Sequence, residues 1–230
     1  MYSLLPRKHI TEKDNFSYLL FSLFFLLLSS AIVDQFFARS LLGQSLVIAF
    51  TVISMAIGVW SLRSSRYAFN TAIGLVATTI LISTIVIMLD KAELAFIHLL
   101  LMLCFFIVTL KLAAQQALFS GKVTLNSIIG SICIFLLLGL IWVMLYLIVA
   151  EFIPNAFAGI EVLAWQENLP DMIYFSFVTL TTLGFGDLLP ISPIARFLVY
   201  VEAIVGVFYM AIVVSSLVSV RISNKSKDNN

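Results

Sequence analysis

Long unbroken apolar runs, rather than an alternation of apolar and polar positions, set the pattern of this chain. Six stretches stand out, at 16–33, 41–62, 72–89, 95–112, 125–150 and 194–220. Each approaches or exceeds the roughly 20 predominantly apolar residues that let a helix cross a hydrocarbon layer. Between the last two lies a segment of another kind, 151–193, with four of the five prolines, several acids and an apolar run at 171–181 too brief to span. The pattern predicts an all-α integral membrane protein of six transmembrane helices with a re-entrant element between the fifth and sixth. The first run follows Arg7 and Lys8 and ends at the small residues Ser29, Ser30 and Ala31, as a cleaved leader would. It exceeds the roughly 7–15 residues of a leader's apolar region, and Glu12 and Asp14 interrupt its flank, so it is expected to stay as the first span.

Composition agrees with that pattern. Hydrophobic residues make up 62% of the chain and charged residues 11%, with a mean hydropathy of +1.12, whereas soluble domains are about half apolar and a quarter charged. A net charge of +1 gives no cationic field for nucleic acid, and none is expected as a partner. Cys104 and Cys133 lie within apolar runs and read as small hydrophobes, without disulfide, metal or redox chemistry. With both ends cytoplasmic, ten basic residues (Arg7, Lys8, Lys13, Arg63, Arg66, Lys111, Lys122, Arg221, Lys225 and Lys227) fall inside and three (Arg39, Lys91 and Arg196) outside. That bias sets the orientation and puts 151–193 on the outer face.

The organisation expected is a cytoplasmic segment at 1–15, a four-span peripheral domain at 16–120, a two-span unit with the re-entrant loop at 121–220, and a short, frayed polar tail at 221–230.

The chemistry concentrates in Thr182, Leu183, Gly184, Phe185, Gly186 and Asp187. Two glycines one residue apart break a helix, and non-helical backbone at membrane depth is tolerated only where it is buried in protein or lines a water-filled cavity. Gly184 and Gly186 supply the positive φ that lets successive carbonyls face one axis, and a file of such carbonyls can replace an ion's hydration shell. Asp171 is placed to cap the short helix leading into this run.

Read with Thr181, the run resembles the potassium-channel signature, most often T-T-V-G-Y-G-D, and its setting of span, pore helix, filter and span is similar to the pore module of bacterial six-span potassium channels. The resemblance extends from about 122 to 220. It implies a homotetramer conducting K+ passively, with K+ held at Thr182, Leu183, Gly184 and Phe185, and Gly186 completing the filter. Leu183 and Phe185 depart from the commonest residues. Phe185 has no hydroxyl to bond the pore-helix aromatics Tyr174 and Phe175, so the filter is expected to distort more readily.

By the same resemblance Asp187 is expected to bond the pore helix behind the filter, with Tyr174 its best placed partner. Glu202, an acid inside the last span, is placed to bond Thr179 or Thr181 and brace the filter, or else is a partly hydrated acid near the interface. Gly206, twenty residues after Gly186, is either a gating hinge, as the resemblance implies, or a site of close helix packing. Ser215, Ser216 and Ser219 share a helical spacing, and Ser215 and Ser219 are candidates to line the inner mouth, although such hydroxyls also bond their own backbone. Glu151, Glu161, Glu167 and Asp171 are assigned to the outer vestibule, where they concentrate cations or are merely solvated. His98 reads as a satisfied polar residue, and with His9 it makes no metal constellation.

The fourth run carries no arginine series, only His98 and Lys111, so steep voltage dependence is not expected. The sequence thus points to a K+-selective channel subunit of the plasma membrane, not an enzyme and without a cofactor. A weakly selective cation channel and a potassium transporter subunit are the alternatives, and a separate regulatory subunit is possible.

Overall fold

The computed structural model describes residues 15–37, 40–61, 66–89, 93–118, 125–160 and 164–228. In chain order the elements are α1 (Asn15–Phe37), α2 (Leu41–Ser61), α3 (Arg66–Leu89), α4 (Glu93–Ala117), α5 (Leu125–Phe152), β1 (Phe157–Ala158), α6 (Trp165–Leu180), β2 (Leu189–Pro190) and α7 (Pro193–Asp228). Helices follow from the apolar runs because a chain in hydrocarbon must satisfy its backbone groups within the segment. Among the described residues α1, α2, α4, α5 and α7 are long and apolar enough to cross a membrane, and the chain is a membrane-embedded, multi-pass protein. The expected third span coincides with α3, whose described apolar portion, Ile73–Ile82, is shorter than a span.

Local signals fix the helix starts. Ser40 caps α2, its Oγ accepting the Gly43 N–H at 2.9 Å, and Ser192 caps α7 by accepting the Ala195 N–H at 3.1 Å. Pro193 follows as the first residue of α7, where its missing N–H loses no helical bond. The tail expected to fray is helical through Asp228, since extending a formed helix adds a bond for each residue fixed.

Helix α5 is the hub. α1 and α4 pack along it, α2 and α3 lie outside them, and α6 and α7 cover its remaining side. Cys133, Leu137, Val143, Met144 and Tyr146 on α5 are fully buried. Gly139 lets the Phe177 ring of α6 seat on α5, since a Cβ there would stand 2.7 Å from that ring. Tyr209 of α7 donates a hydrogen bond to the Ser131 carbonyl of α5.

The outer loops add one departure from an all-helical chain. β1 and β2 pair antiparallel, Phe157 opposite Pro190 and Ala158 opposite Leu189, and the Ala156 carbonyl accepts the Ile191 N–H at 2.8 Å. This small clasp joins the chain leaving α5 to the chain entering α7. Beside it Gly159 has a φ of +92°, and a Cβ there would lie 2.5 Å from the Asp187 carbonyl oxygen. Gly159→Ala is therefore expected to destabilise the protein by about 1–3 kcal/mol through overpacking and backbone strain. The check is the thermal midpoint in detergent, and an unchanged midpoint would mean that the clasp does not depend on this approach.

Candidate functional site

The candidate loop begins where α6 ends. Thr181 is its C-cap and donates its N–H to Phe177. The Thr182 N–H then reaches the Thr179 carbonyl, and the Leu183 N–H reaches back to the Val178 carbonyl, both at 2.9 Å. These two bonds form a Schellman motif, whose hallmark is one residue in the left-handed region, usually glycine. Here that residue is Thr182, with φ +61°. A β-branched side chain in that region is a genuine outlier, of the kind that costs on the order of 1–3 kcal/mol and gathers at functional sites.

The left-handed conformation then recurs at every second residue, with φ +57° at Gly184 and +80° at Gly186. The residues from Thr181 to Asp187 are exposed on the isolated chain, and a Cβ on Gly184 or Gly186 would meet nothing within 4 Å. One side of this loop is thus uncovered by its own chain. At its inner end lies an open groove of about 530 Å³ lined by Leu180, Thr182, Gly206, Val207 and Met210, among others.

The outer end is tied down. Tyr174 Oη donates to Asp187 Oδ2 at 2.7 Å, and Asp187 Oδ1 accepts the Leu188 N–H at 3.0 Å. The Tyr174 hydroxyl, foremost, holds the Asp187 carboxyl below the usual carboxylate range. The rings of Tyr174 and Phe185 stack in parallel, 6.3 Å apart, so Phe185 meets α6 through its face.

Several expected placements differ. α6 starts at Trp165, six residues before Asp171, and carries Pro170 inside it. Asp171 is therefore no N-cap, and no side chain caps this helix. Phe175 faces away from the loop and packs with Tyr146 and Phe157, at 5.2 and 5.7 Å between ring centroids. Glu202 meets neither expected threonine. It is fully buried, its Oε1 lying 2.6 Å from Ser176 Oγ and its Oε2 accepting a hydrogen bond from Tyr146. Thr181 instead donates back to the Phe177 carbonyl at 2.5 Å, and the Thr179 carbonyl is engaged in the Schellman motif.

Gly206 acquires a packing reason. A Cβ there would stand 2.1 Å from the Leu180 carbonyl oxygen, and α7 continues through it as one helix. The acids assigned to the vestibule also separate. Glu167 accepts from Gln44 Nε2 of α2 at 2.7 Å, so it turns to α2. Asp171 has its carboxyl pushed up by burial first, then by Asp34 of α1 and by Asp187. Glu161 and the side chain of Ser219 lie outside the described residues, while Glu151 and Ser215 are exposed. His98 is buried and stacks on Trp165 at 4.9 Å.

Tyr146, Ser176 and Gly159 escaped the sequence reading. The first two left a faint signal as hydroxyls within apolar helices, where a polar group needs a partner.

Comparison with known proteins agrees with this geometry. Residues 132–222, from α5 through most of α7, match the family model described as "Ion channel". The chain is similar to the inward rectifier potassium channel Kirbac3.1 of Paramagnetospirillum magnetotacticum, with 32% identity over 82 residues, which are 36% of this chain and 25% of that protein. It thus spans about a quarter of that relative's length. No solved structure matches. The stretch from α5 to α7, with the loop between them, is thus similar to an ion-channel domain.

Because the Tyr174 hydroxyl is the first cause of Asp187's lowered titration, Tyr174→Phe is expected to raise it toward the ordinary carboxylate value of about 3.9. With the folded value depressed, the bond's contribution is present above the unfolded value and lost as pH falls through the folded one. In the variant, carboxyl-carbon NMR of Asp187 would show protonation at higher pH than in the wild type. An unmoved titration would exclude the hydroxyl as the cause.

Proposed function

We propose that the chain is one subunit of a K+-selective channel of the plasma membrane, with Thr182, Leu183, Gly184, Phe185 and Gly186 as its filter and both termini cytoplasmic. The observation that carries this reading is the left-handed backbone at Thr182, Gly184 and Gly186, between two long apolar helices and at the end of one too short to span. Alternation of that kind turns successive carbonyls toward one side, and a ring of such carbonyls replaces the hydration shell of K+. The ion-channel match and the potassium channel among its relatives support the same reading.

One filter strand per chain cannot enclose an ion, so the ring is closed by symmetry, and a homotetramer is the assembly we assign. The uncovered side of the loop and the exposed apolar residues along α7, among them Phe197, Ile204, Phe208 and Ile212, favour neighbours or lipid there. Asp187, held by Tyr174, stays ionised at the outer mouth, and α6 directs the negative end of its dipole toward the ion path. Inside the filter, Gly206 lets α7 pass close to α6, and Ser215 and Ser219 follow along α7 toward the inner mouth.

The deciding measurement is the reversal potential of the reconstituted protein between potassium and sodium solutions in a planar bilayer. A value near the potassium equilibrium potential, with block by barium, is expected. A value near zero would instead make it a general cation pore, the reading that Leu183 and Phe185 favour if they loosen the filter.

Gating follows from α4, whose ionisable residues between 95 and 112 are His98 and Lys111. Moving one charge through the field contributes about 2.3 kcal/mol per 100 mV, so open probability is expected to vary shallowly with voltage. Single-channel recording over a wide voltage range tests this, and a steep dependence would overturn it.

A further inference from the structure

The carboxyl of Glu202 lies where three helices meet, and both of its hydrogen-bond partners are neutral hydroxyls, Tyr146 of α5 and Ser176 of α6. Ser176 Oγ also stands 2.9 Å from the Gly139 carbonyl oxygen of α5. Each hydroxyl owns one proton, and the Ser176 proton cannot serve Gly139 and Glu202 together. If Ser176 donates to Glu202, its approach to Gly139 brings two oxygens together with no proton between them. All three contacts become hydrogen bonds in one arrangement: Glu202 donates to Ser176, Ser176 donates to Gly139, and Tyr146 donates to the other carboxyl oxygen. Three protons then fill three contacts. A neutral acid is also what a fully buried position within a span favours, since an unpaired buried charge is far more costly than a hydrogen-bonded neutral group.

The location of Ser176 gives this cluster its consequence. It lies two residues after Tyr174, which holds the outer end of the loop through Asp187, and two residues before Val178, whose carbonyl holds the inner end through Leu183. Tyr146 packs on Phe157 of β1, 5.6 Å between ring centroids, so the same cluster reaches the outer clasp. A shift of α6 at Ser176 moves both anchors of the loop.

We propose that Glu202 is a positioning residue that works as a neutral hydrogen-bond relay, clamping α6 between α5 and α7 so that the loop keeps its ion-binding geometry. This rests on the channel reading above and adds Tyr146 and Ser176 to the residues on which selectivity depends.

The test compares the wild type with Glu202→Leu, Glu202→Gln, Ser176→Ala and Tyr146→Phe in bilayers, reading the K+/Na+ permeability ratio beside the thermal midpoint in detergent. Glu202→Leu leaves both hydroxyls without their shared partner, and the ratio is expected to fall by roughly fivefold or more, as the loss of about 1 kcal/mol or more implies. Glu202→Gln restores most of it, because an amide N–H donates to Ser176 while its carbonyl accepts from Tyr146. A glutamine variant as impaired as the leucine variant would overturn the neutral relay. Where Glu202→Leu does not assemble, Ser176→Ala removes two of the three bonds and Tyr146→Phe the third, and each is expected to lower the ratio; wild-type ratios in both would overturn the clamp. A wild type that does not discriminate K+ from Na+ would sink the K+-selective reading alone. The clamp would then stand or fall on the midpoints, with glutamine near wild type and leucine well below supporting it, and equal losses overturning it.

Discussion

A backbone that leaves the helix at the depth of a hydrocarbon layer loses the partners for its N–H and C=O groups, and lipid offers no replacement. On the channel reading the stretch after Leu180 faces that constraint, and the surrounding structure answers it at both ends. The Schellman motif uses the Val178 and Thr179 carbonyls to receive the first N–H groups past α6. At the other end Asp187 receives a backbone N–H and the Tyr174 hydroxyl, and the clasp of β1 and β2 returns the chain to α7. Between these anchors the backbone carries the strain of Thr182 in the left-handed region. Strain of that kind persists only where neighbouring contacts over-determine the conformation.

Five of the six expected spans and the loop were legible in the sequence because their causes are local. Apolar length predicts a helix in a membrane, and two glycines one residue apart predict that a helix cannot continue. The Tyr174 and Asp187 pair was legible only through the resemblance to a family motif. What was not legible depends on contacts distant along the chain. The site where Glu202 sits is made by residues 56 and 26 positions away, and nothing near Glu202 in sequence distinguishes Ser176 from Thr179, a neighbour on the same helix. The start of α6 was missed because only its apolar part, 171–181, was read as helix, whereas the more polar turns from Trp165 through Pro170 belong to it as well. Gly206 read equally as hinge or packing residue until the 2.1 Å approach of the Leu180 carbonyl supplied a reason for the missing side chain.

The peripheral helices bear on the loop from behind. α1 touches α6 as well as α5, α2 touches α6, and Gln44 of α2 bonds Glu167 in the first turn of α6. An acid there already complements the positive end of that helix, so Gln44 grips a residue whose orientation the helix dipole favours. α6 is therefore held at its beginning by the peripheral domain, at its middle by Glu202 through Ser176, and at its end by Gly206 under Leu180. A helix fixed at three levels has little freedom to slide or rotate, and the anchors of the loop inherit that rigidity.

The same arrangement explains where symmetry must act on the channel reading. The anchors that α2, α5 and α7 supply lie on the sides of α6 that those helices cover, while Leu183 and Phe185 remain largely exposed. A single chain thus builds the back wall of a filter and leaves its front open. An ion at that front would meet carbonyls on one side and water on the other, which cannot replace a hydration shell. Only further copies presenting the same front close the coordination, and because each copy is braced from behind by its own helices, the ring is assembled from walls already rigid before they meet.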